Sequence, residues 1–123
     1  MAKKILVIDD EPEMVDMLRI RLEDEGYGII TALNGEEGLK KAEGERPDLV
    51  LLDILLPGMS GLEVAKRLRE SKATKNIPII MVTALIGGDA MRTGLKSGAA
   101  YFISKPFDPE ELLTQIKSAI GDK

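Results

Sequence analysis

Short apolar runs alternate along this chain with longer segments whose apolar residues recur at helical spacing. The runs are continuous rather than alternating, which is typical of strands that are covered on both faces. Such a succession of strands and helices predicts an α/β fold with an open, mainly parallel sheet and helices on both faces. The five predicted strands are Ile5–Ile8, Gly28–Ala32, Leu49–Leu52, Ile77–Val82 and Ala100–Ile103.

Five helices are predicted after these strands. Asp108 is a candidate N-cap with Pro109 at the first helical position, a combination that favours a helix start. The helix that opens at Gly87-Gly88 contains Gly94 and few strong apolar residues, so we expect it to be the least stable. The first four helices are predicted to span about residues 12–25, 36–43, 62–71 and 89–97, and the last starts near 108–109 with Leu112, Leu113 and Ile116 toward the core.

Composition narrows the classes of function that the chain can have. The 123 residues carry a formal charge of -4 and few aromatic residues, which argues against a nucleic-acid groove. The absence of cysteine and histidine excludes disulfides, thiolate sites and histidine chemistry, so any bound metal must be held by oxygen. No apolar stretch is long enough for a membrane span, and we expect a soluble, cytoplasmic protein.

Chemically active side chains follow four of the predicted strands: Asp9 and Asp10, then Asp53, Thr83 and Lys105. Taken singly, an acid pair is a common helix cap, a threonine is usually structural and a lysine is usually a surface charge. The carboxyl ends of parallel strands share one edge of a sheet, however, and ligands bind outside that edge. We therefore expect these groups to meet there.

Three clustered carboxylates need cations, because two charges 4 Å apart repel by roughly 4 kcal/mol at an effective dielectric constant of 20. Lys105 supplies one positive charge, and Mg²⁺ suits a site that offers only oxygen ligands. A carboxylate beside a metal and an ammonium can attack phosphorus to give an aspartyl phosphate. Asp53, alone at its strand end, is the best candidate nucleophile.

Four motifs carry a resemblance to a known family. IDDE at 8–11, LLDILLPGMSG at 51–61, VTA at 82–84 and SKPF at 104–107 occur in order across nearly the whole chain. In these motifs the sequence resembles the receiver domain of two-component response regulators, including chemotaxis regulators.

The resemblance implies one receiver domain over residues 1–123, with a flavodoxin-like, doubly wound sheet in the order 2-1-3-4-5. It implies that Asp53 accepts a phosphoryl group from a sensor histidine kinase or a histidine phosphotransfer protein. Asp10, Asp53 and the backbone carbonyl of Leu55 would bind Mg²⁺ directly, and Asp9 would act mainly through water.

The resemblance also assigns roles at the last two strands. Thr83 and Lys105 would contact the phosphoryl oxygens, and the Lys105-Pro106 peptide bond would be cis. Phe102, three residues before the lysine, would be the switch aromatic that moves inward with Thr83. The plainer alternative, that Phe102 is simply a core residue, stays open.

The sequence departs from the family pattern in two places. Leu55 and Leu85 stand where polar side chains in relatives help water to attack the phosphate, which predicts slow self-dephosphorylation. Ala100 and Tyr101 replace acids that pair across a dimer of related transcription factors, so we do not expect that dimer.

The sequence thus predicts a phosphorylation-dependent signalling switch, which catalyses only its own phosphorylation and dephosphorylation. Its expected partners are the phosphodonor and a downstream effector or fused output domain, with no direct contact to nucleic acid or membrane. A Mg²⁺-dependent phosphatase and an unphosphorylated interaction module remain alternatives. Whether the chain stands alone or belongs to a longer regulator is open.

Overall fold

The fold is described by a computed structural model over residues 2–85 and 88–121. Strands and helices alternate throughout, which confirms the predicted α/β class. The strands are β1 (Lys4–Ile8), β2 (Gly28–Ala32), β3 (Leu49–Leu52), β4 (Ile79–Thr83) and β5 (Tyr101–Ser104). The helices are α1 (Pro12–Asp24), α2 (Gly35–Glu45), α3 (Gly61–Glu70), α4 (Gly88–Lys96) and α5 (Pro109–Ile120).

The five strands form one parallel sheet in the order β2-β1-β3-β4-β5. This is the doubly wound order that the resemblance implied. The order reverses between β1 and β3, and doubly wound sheets bind ligands in the crevice outside the carboxyl ends of the strands at this point. Asp9 and Asp10 follow β1 and Asp53 follows β3, so the three predicted acids lie at the reversal.

Each apolar strand contributes to two separate cores. In β1, Ile5 and Val7 belong to the core beneath α1 and α5, whereas Leu6 and Ile8 belong to the core beneath α2 and α3. Successive side chains of a strand point to opposite faces, so a continuous apolar run supplies both layers. The sheet is therefore covered on both sides, and its carboxyl edge is left for polar chemistry.

Several element boundaries differ from the prediction by one or two residues. The predicted fourth strand starts at Ile77, but β4 starts at Ile79, after Pro78, which has no N–H to give to a ladder. Gly87 lies outside the described residues, and α4 starts at Gly88. Asp108 caps α5 as predicted by accepting a hydrogen bond from the backbone N–H of Glu110.

No helix within the described ranges combines the length and the apolar content that a membrane crossing requires.

Arg69, in the last turn of α3, joins three segments by hydrogen bonds to backbone carbonyls. Its Nε and Nη2 donate to the oxygen of Gly98 at 3.2 and 2.8 Å. Its Nη1 donates to the oxygens of Lys75 and Ile77 at 3.0 and 2.8 Å. Gly98 has φ +105°, and a Cβ there would lie 2.7 Å from the Arg69 Nε. This set of contacts, the Arg69 clamp, holds α3, the start of β4 and the end of α4 together.

Replacing Arg69 by methionine should lower the free energy of unfolding by about 2 kcal/mol, because carbonyls at three positions lose their donors. The matched control is Arg67→Met in the same helix. Arg67 makes an exposed ion pair with Glu63, and its loss should cost about 0.5 kcal/mol or less. Urea unfolding of both variants measures the difference, and equal losses would show that the clamp adds nothing to stability.

Candidate functional site

The Asp53 carboxylate lies at the middle of the sheet's carboxyl edge and is held from two sides. Its side chain is buried, with 4% of the residue exposed. The Oδ1 atom accepts a hydrogen bond from the backbone N–H of Leu55 at 3.0 Å. The Oδ2 atom lies 3.0 Å from the Nζ of Lys105. The buried Asp53 carboxylate therefore has both the Leu55 N–H dipole and the Lys105 charge as partners.

The loop after Asp53 brings helix α3 directly against the backbone of this residue. A Cβ on Gly61 would lie 2.0 Å from the Asp53 carbonyl oxygen and 2.7 Å from the Cα of Ile54. Only glycine permits that approach. The Gly61 N–H donates to the Ile54 carbonyl at 2.9 Å, and the Ser60 side chain caps the helix. The Pro-Gly-Met-Ser-Gly segment thus fixes the position of the central carboxylate.

Three consecutive acids after β1 face the same edge with different exposure. Asp9 is buried, whereas Asp10 and Glu11 are exposed. Asp9 accepts the Glu11 backbone N–H on Oδ1 at 3.0 Å and the Lys105 ammonium on Oδ2 at 2.8 Å. The resemblance implied that Asp9 would act on Mg²⁺ mainly through water. In the structure both of its carboxylate oxygens accept hydrogen bonds from protein groups.

The Lys105 ammonium contacts three carboxylates at once. Its Nζ lies 2.8 Å from Asp9, 2.8 Å from Glu11 and 3.0 Å from Asp53, one acceptor for each of its hydrogens. Burial lowers the pKa of Lys105, but hydrogen bonds to the three acids outweigh that effect and raise its pKa above the ordinary value. The lysine is therefore positively charged at any physiological pH.

Burial raises the pKa of the Asp9 carboxyl, and the repulsion from Asp53 acts in the same direction. The hydrogen bonds from Lys105 and from the Glu11 backbone, together with the charge of Lys105, lower the pKa in part. The ionised form of this acid thus depends on the lysine.

Glu11 is the member of the cluster that sequence reasoning did not assign a role. Its only sequence signal is its place directly after the acid pair, and its carboxylate reaches Lys105 although the side chain is 59% exposed. The cluster therefore contains Asp9, Asp10, Glu11 and Asp53 opposite one ammonium. This exceeds the three carboxylates that were expected.

Asp9, Asp10 and Asp53 have the geometry of a cation site. Each offers a carboxylate oxygen, and the three oxygens lie within 4.8 Å of one another. All donors are hard oxygens, and the carboxylates outnumber the ammonium, so a small hard divalent cation fits this set. The residues present are thus compatible with Mg²⁺.

The other predicted residues lie on β4 and β5 or directly after β5. Thr83 ends β4, is fully buried, and accepts the Leu85 backbone N–H on Oγ1 at 3.3 Å. The Lys105-Pro106 peptide bond is cis. Phe102 packs against the core beneath α2 and α3, whereas the Tyr101 hydroxyl lies 3.0 Å from the Oγ of Ser118 on α5.

Two leucines stand at the rim of the acid cluster. Leu55 and Leu85 are 49% and 36% exposed, and each contributes a backbone N–H rather than a polar side chain to the edge. The positions that follow Asp53 and Thr83 by two residues therefore carry no polar side chain.

Comparison with known proteins agrees with this geometry. The family model for the response regulator receiver domain matches residues 5–117. The chain belongs to the family of response regulator receiver domains. Such receiver domains are the phosphorylation-dependent signalling modules of two-component systems.

Curated relatives of this receiver domain are longer proteins. It is 47% identical over 120 residues to the alkaline phosphatase synthesis transcriptional regulatory protein PhoP of Bacillus subtilis, covering 98% of this chain and 49% of that protein. It is 41% identical over 119 residues to the phosphate regulon transcriptional regulatory protein PhoB of Pseudomonas aeruginosa, covering 97% and 52%. The chain spans about half the length of these relatives.

Solved structures match the receiver domain over nearly their full length. A response regulator from Chloroflexus aurantiacus superposes with a TM-score of 0.94 at 35% identity, covering 98% of this chain and 99% of that one. The chemotaxis protein CheY4 of Vibrio cholerae gives 0.91 at 34% identity, covering 97% and 99%. These matches confirm the predicted fold and family.

Replacing Lys105 by methionine should lower the free energy of unfolding at pH 7.5 by about 3 kcal/mol, because two buried carboxylates lose their cation. Without the lysine the pKa of Asp9 rises further, so the folded state binds a proton more tightly than the unfolded state does. The loss of stability is then fully present at pH values above the pKa of Asp9 in the folded state, and it becomes smaller as the pH falls. The deficit relative to the parent protein should therefore be smaller at pH 4.5.

Urea unfolding at the two pH values measures this deficit. The control is Lys117→Met, which removes an exposed partner of Glu25 and should show a small loss at both values. A Lys105→Met deficit that is independent of pH would contradict the electrostatic explanation.

Proposed function

We propose that Asp53 accepts a phosphoryl group from a histidine kinase or a histidine phosphotransfer protein. The observation that carries this proposal is the position of its carboxylate, at the end of the central strand and between the Lys105 ammonium and the Leu55 N–H. A carboxylate oxygen forms the new bond to phosphorus as the phosphorus–nitrogen bond of the donor breaks. The departing imidazole nitrogen keeps the electron pair and takes up a proton.

Mg²⁺ is the proposed cofactor, held by Asp10, Asp53 and the Leu55 carbonyl, with Asp9 beside it. The closeness of the three carboxylate oxygens supports this assignment. When bound, the ion supplies positive charge opposite the phosphoryl oxygens. The exposed Asp10 leaves the cluster open to solvent on one side, so the ion and the donor have access.

Lys105 and Thr83 are the proposed ligands of the phosphoryl oxygens. The Lys105 ammonium already contacts Asp53. After transfer the negative charge lies on the phosphoryl oxygens beside it, and the ammonium can stabilise that charge. The Thr83 hydroxyl ends the neighbouring strand and can donate a hydrogen bond to a new acceptor. Phe102, on the next strand, would follow the movement of Thr83.

The proposed output is a changed surface on α4, β5 and α5, recognised by an effector protein or a fused output domain. Several relatives are named as transcriptional regulators and are about twice as long as this chain. Direct contact with nucleic acid is not proposed for this domain. Its proposed catalysis is limited to gaining and losing its own phosphoryl group.

Incubation with acetyl phosphate and Mg²⁺ should add one phosphoryl mass to the protein, and Asp53→Asn should abolish the addition. The control Asp24→Asn, an exposed acid near the end of α1, should react like the parent protein. Removal of Mg²⁺ with a chelator should also prevent the reaction. Intact-mass spectrometry measures all four samples.

Uptake that persists in Asp53→Asn would refute the assignment of this residue. Multiple turnover of a phosphate monoester would favour the phosphatase alternative, and absence of any uptake from acetyl phosphate or a phosphorylated donor would favour an unphosphorylated interaction module.

The phosphorylated protein should lose its phosphoryl group slowly, and Leu55→Asn should make the loss several times faster. A polar side chain at this rim position can orient water toward phosphorus, and such positioning favours attack by that water. The control is Leu33→Asn, another exposed leucine, which follows β2. Radiolabel decay in Mg²⁺ buffer gives the rates, and decay of the parent protein within seconds would contradict the prediction.

A further inference from the structure

All three hydrogens of the Lys105 ammonium are used by carboxylates. Its Nζ lies 2.8 Å from an oxygen of Asp9, 2.8 Å from one of Glu11 and 3.0 Å from one of Asp53. An ammonium group has three donors, so this set of acceptors is complete. A phosphoryl oxygen bound at Asp53 would be a fourth acceptor. It gains a full hydrogen bond from the lysine only if one of the present contacts is given up.

The three acceptors differ in what it costs to separate them from the lysine. Asp9 is 3% exposed, and breaking its contact would leave a buried carboxylate without this cation, which is strongly unfavourable. Asp53 carries the phosphoryl group in the proposed function and stays beside the lysine. The Glu11 side chain is 59% exposed, so water can replace the ammonium as its partner. The Glu11 contact is therefore the one that costs least to break.

Glu11 makes this contact from a position where a helix favours other residues. It is the N-cap of α1, yet its side chain forms no capping hydrogen bond. Helices α2, α3 and α5 begin with Asn34, Ser60 and Asp108, and each of these side chains accepts a hydrogen bond from an N–H of the first turn. Such short side chains are preferred at N-caps for that reason. The residue at position 11 thus serves Lys105 rather than the start of its own helix.

We propose that Glu11 is a positioning residue that competes with the phosphoryl group for one hydrogen of Lys105 and so weakens the binding of that group. The inference rests on the proposed function and adds to it a residue that acts through the lysine. The ion pair stabilises the protein only as long as the phosphoryl group does not take this hydrogen. By linkage, removing the ion pair favours binding of the group by the free energy that the pair contributed.

The test measures the Kd for beryllofluoride in saturating Mg²⁺ by isothermal titration calorimetry. This probe is chosen because the receiver domain of DrrB, which is similar in structure to this chain, is activated by BeF3. Glu11→Gln keeps the length of the side chain and removes its charge, and it should lower the Kd by about threefold, as expected for the loss of an exposed ion pair. The matched control is Glu13→Gln, an exposed acid in the first turn of α1 that forms no ion pair within the described residues. It should leave the Kd unchanged.

A second variant separates the contact with the lysine from the negative charge. Glu11→Asp keeps the charge but shortens the side chain by one methylene, and an aspartate at an N-cap turns toward the N–H groups of its helix. Its carboxylate then no longer reaches Lys105, so the Kd for beryllofluoride should fall as it does in Glu11→Gln. The Kd for Mg²⁺ alone should not fall in either variant, because neither substitution adds a negative charge. Urea unfolding shows that each variant is folded.

An unchanged or higher Kd for beryllofluoride in Glu11→Gln would overturn the inference and leave the proposed function intact, since another acceptor of Lys105 would then give way. A Kd that falls in Glu11→Gln but not in Glu11→Asp, or that falls equally in Glu13→Gln, would also overturn it, because negative charge alone would set the affinity. Tighter binding of Mg²⁺ alone would assign the gain to the metal and contradict the inference. Failure of the parent protein to bind beryllofluoride would instead contradict the proposed function, and the inference with it.

Discussion

The carboxylates at the carboxyl edge of this sheet depend on one ammonium group for their positive counter-charge. Lys105 Nζ lies within 3.0 Å of carboxylates from Asp9, Glu11 and Asp53, two of which are buried. Two such charges 4 Å apart repel by about 4 kcal/mol at an effective dielectric constant of 20, and the hydrogen bond and charge of Lys105 oppose the rise in the pKa of Asp9 that burial and Asp53 cause. Lys105, directly after β5, thus links the end of this strand by charge to the ends of β1 and β3, although β5 shares a ladder with β4 and not with them.

The rest of the fold brings these charged groups together and fixes their positions. The parallel topology brings residues 9, 53 and 105 to one edge, and two apolar layers surround the strands that carry them. The contact of Gly61 with the Asp53 backbone fixes the central carboxylate from behind. Glu11 alone among the three acids paired with the lysine is exposed, so water competes for its ion pair and makes it the weakest of them.

The strands and most of the acid cluster could be predicted from the sequence, because local patterns determine them. Apolar runs indicate the strands, and the residues after them share an edge by topology, which predicted the meeting of Asp9, Asp53 and Lys105. Glu11 was missed because its role depends on how far one exposed side chain reaches. Arg69 was missed because an arginine at a helix end resembles a surface charge, and its acceptors are backbone atoms up to 29 residues away.

The Arg69 clamp constrains the main chain of the segments that it joins, but not most of their side chains. Its acceptors are carbonyl oxygens of the main chain, which every residue possesses, so the side chains of Lys75 and Ile77 are not specified by it. Gly98 is the position that the clamp does restrict. Substitutions at Lys75 and Ile77 can therefore leave the clamp intact as long as the main chain keeps its course, whereas any side chain at Gly98 would displace the Arg69 guanidinium itself.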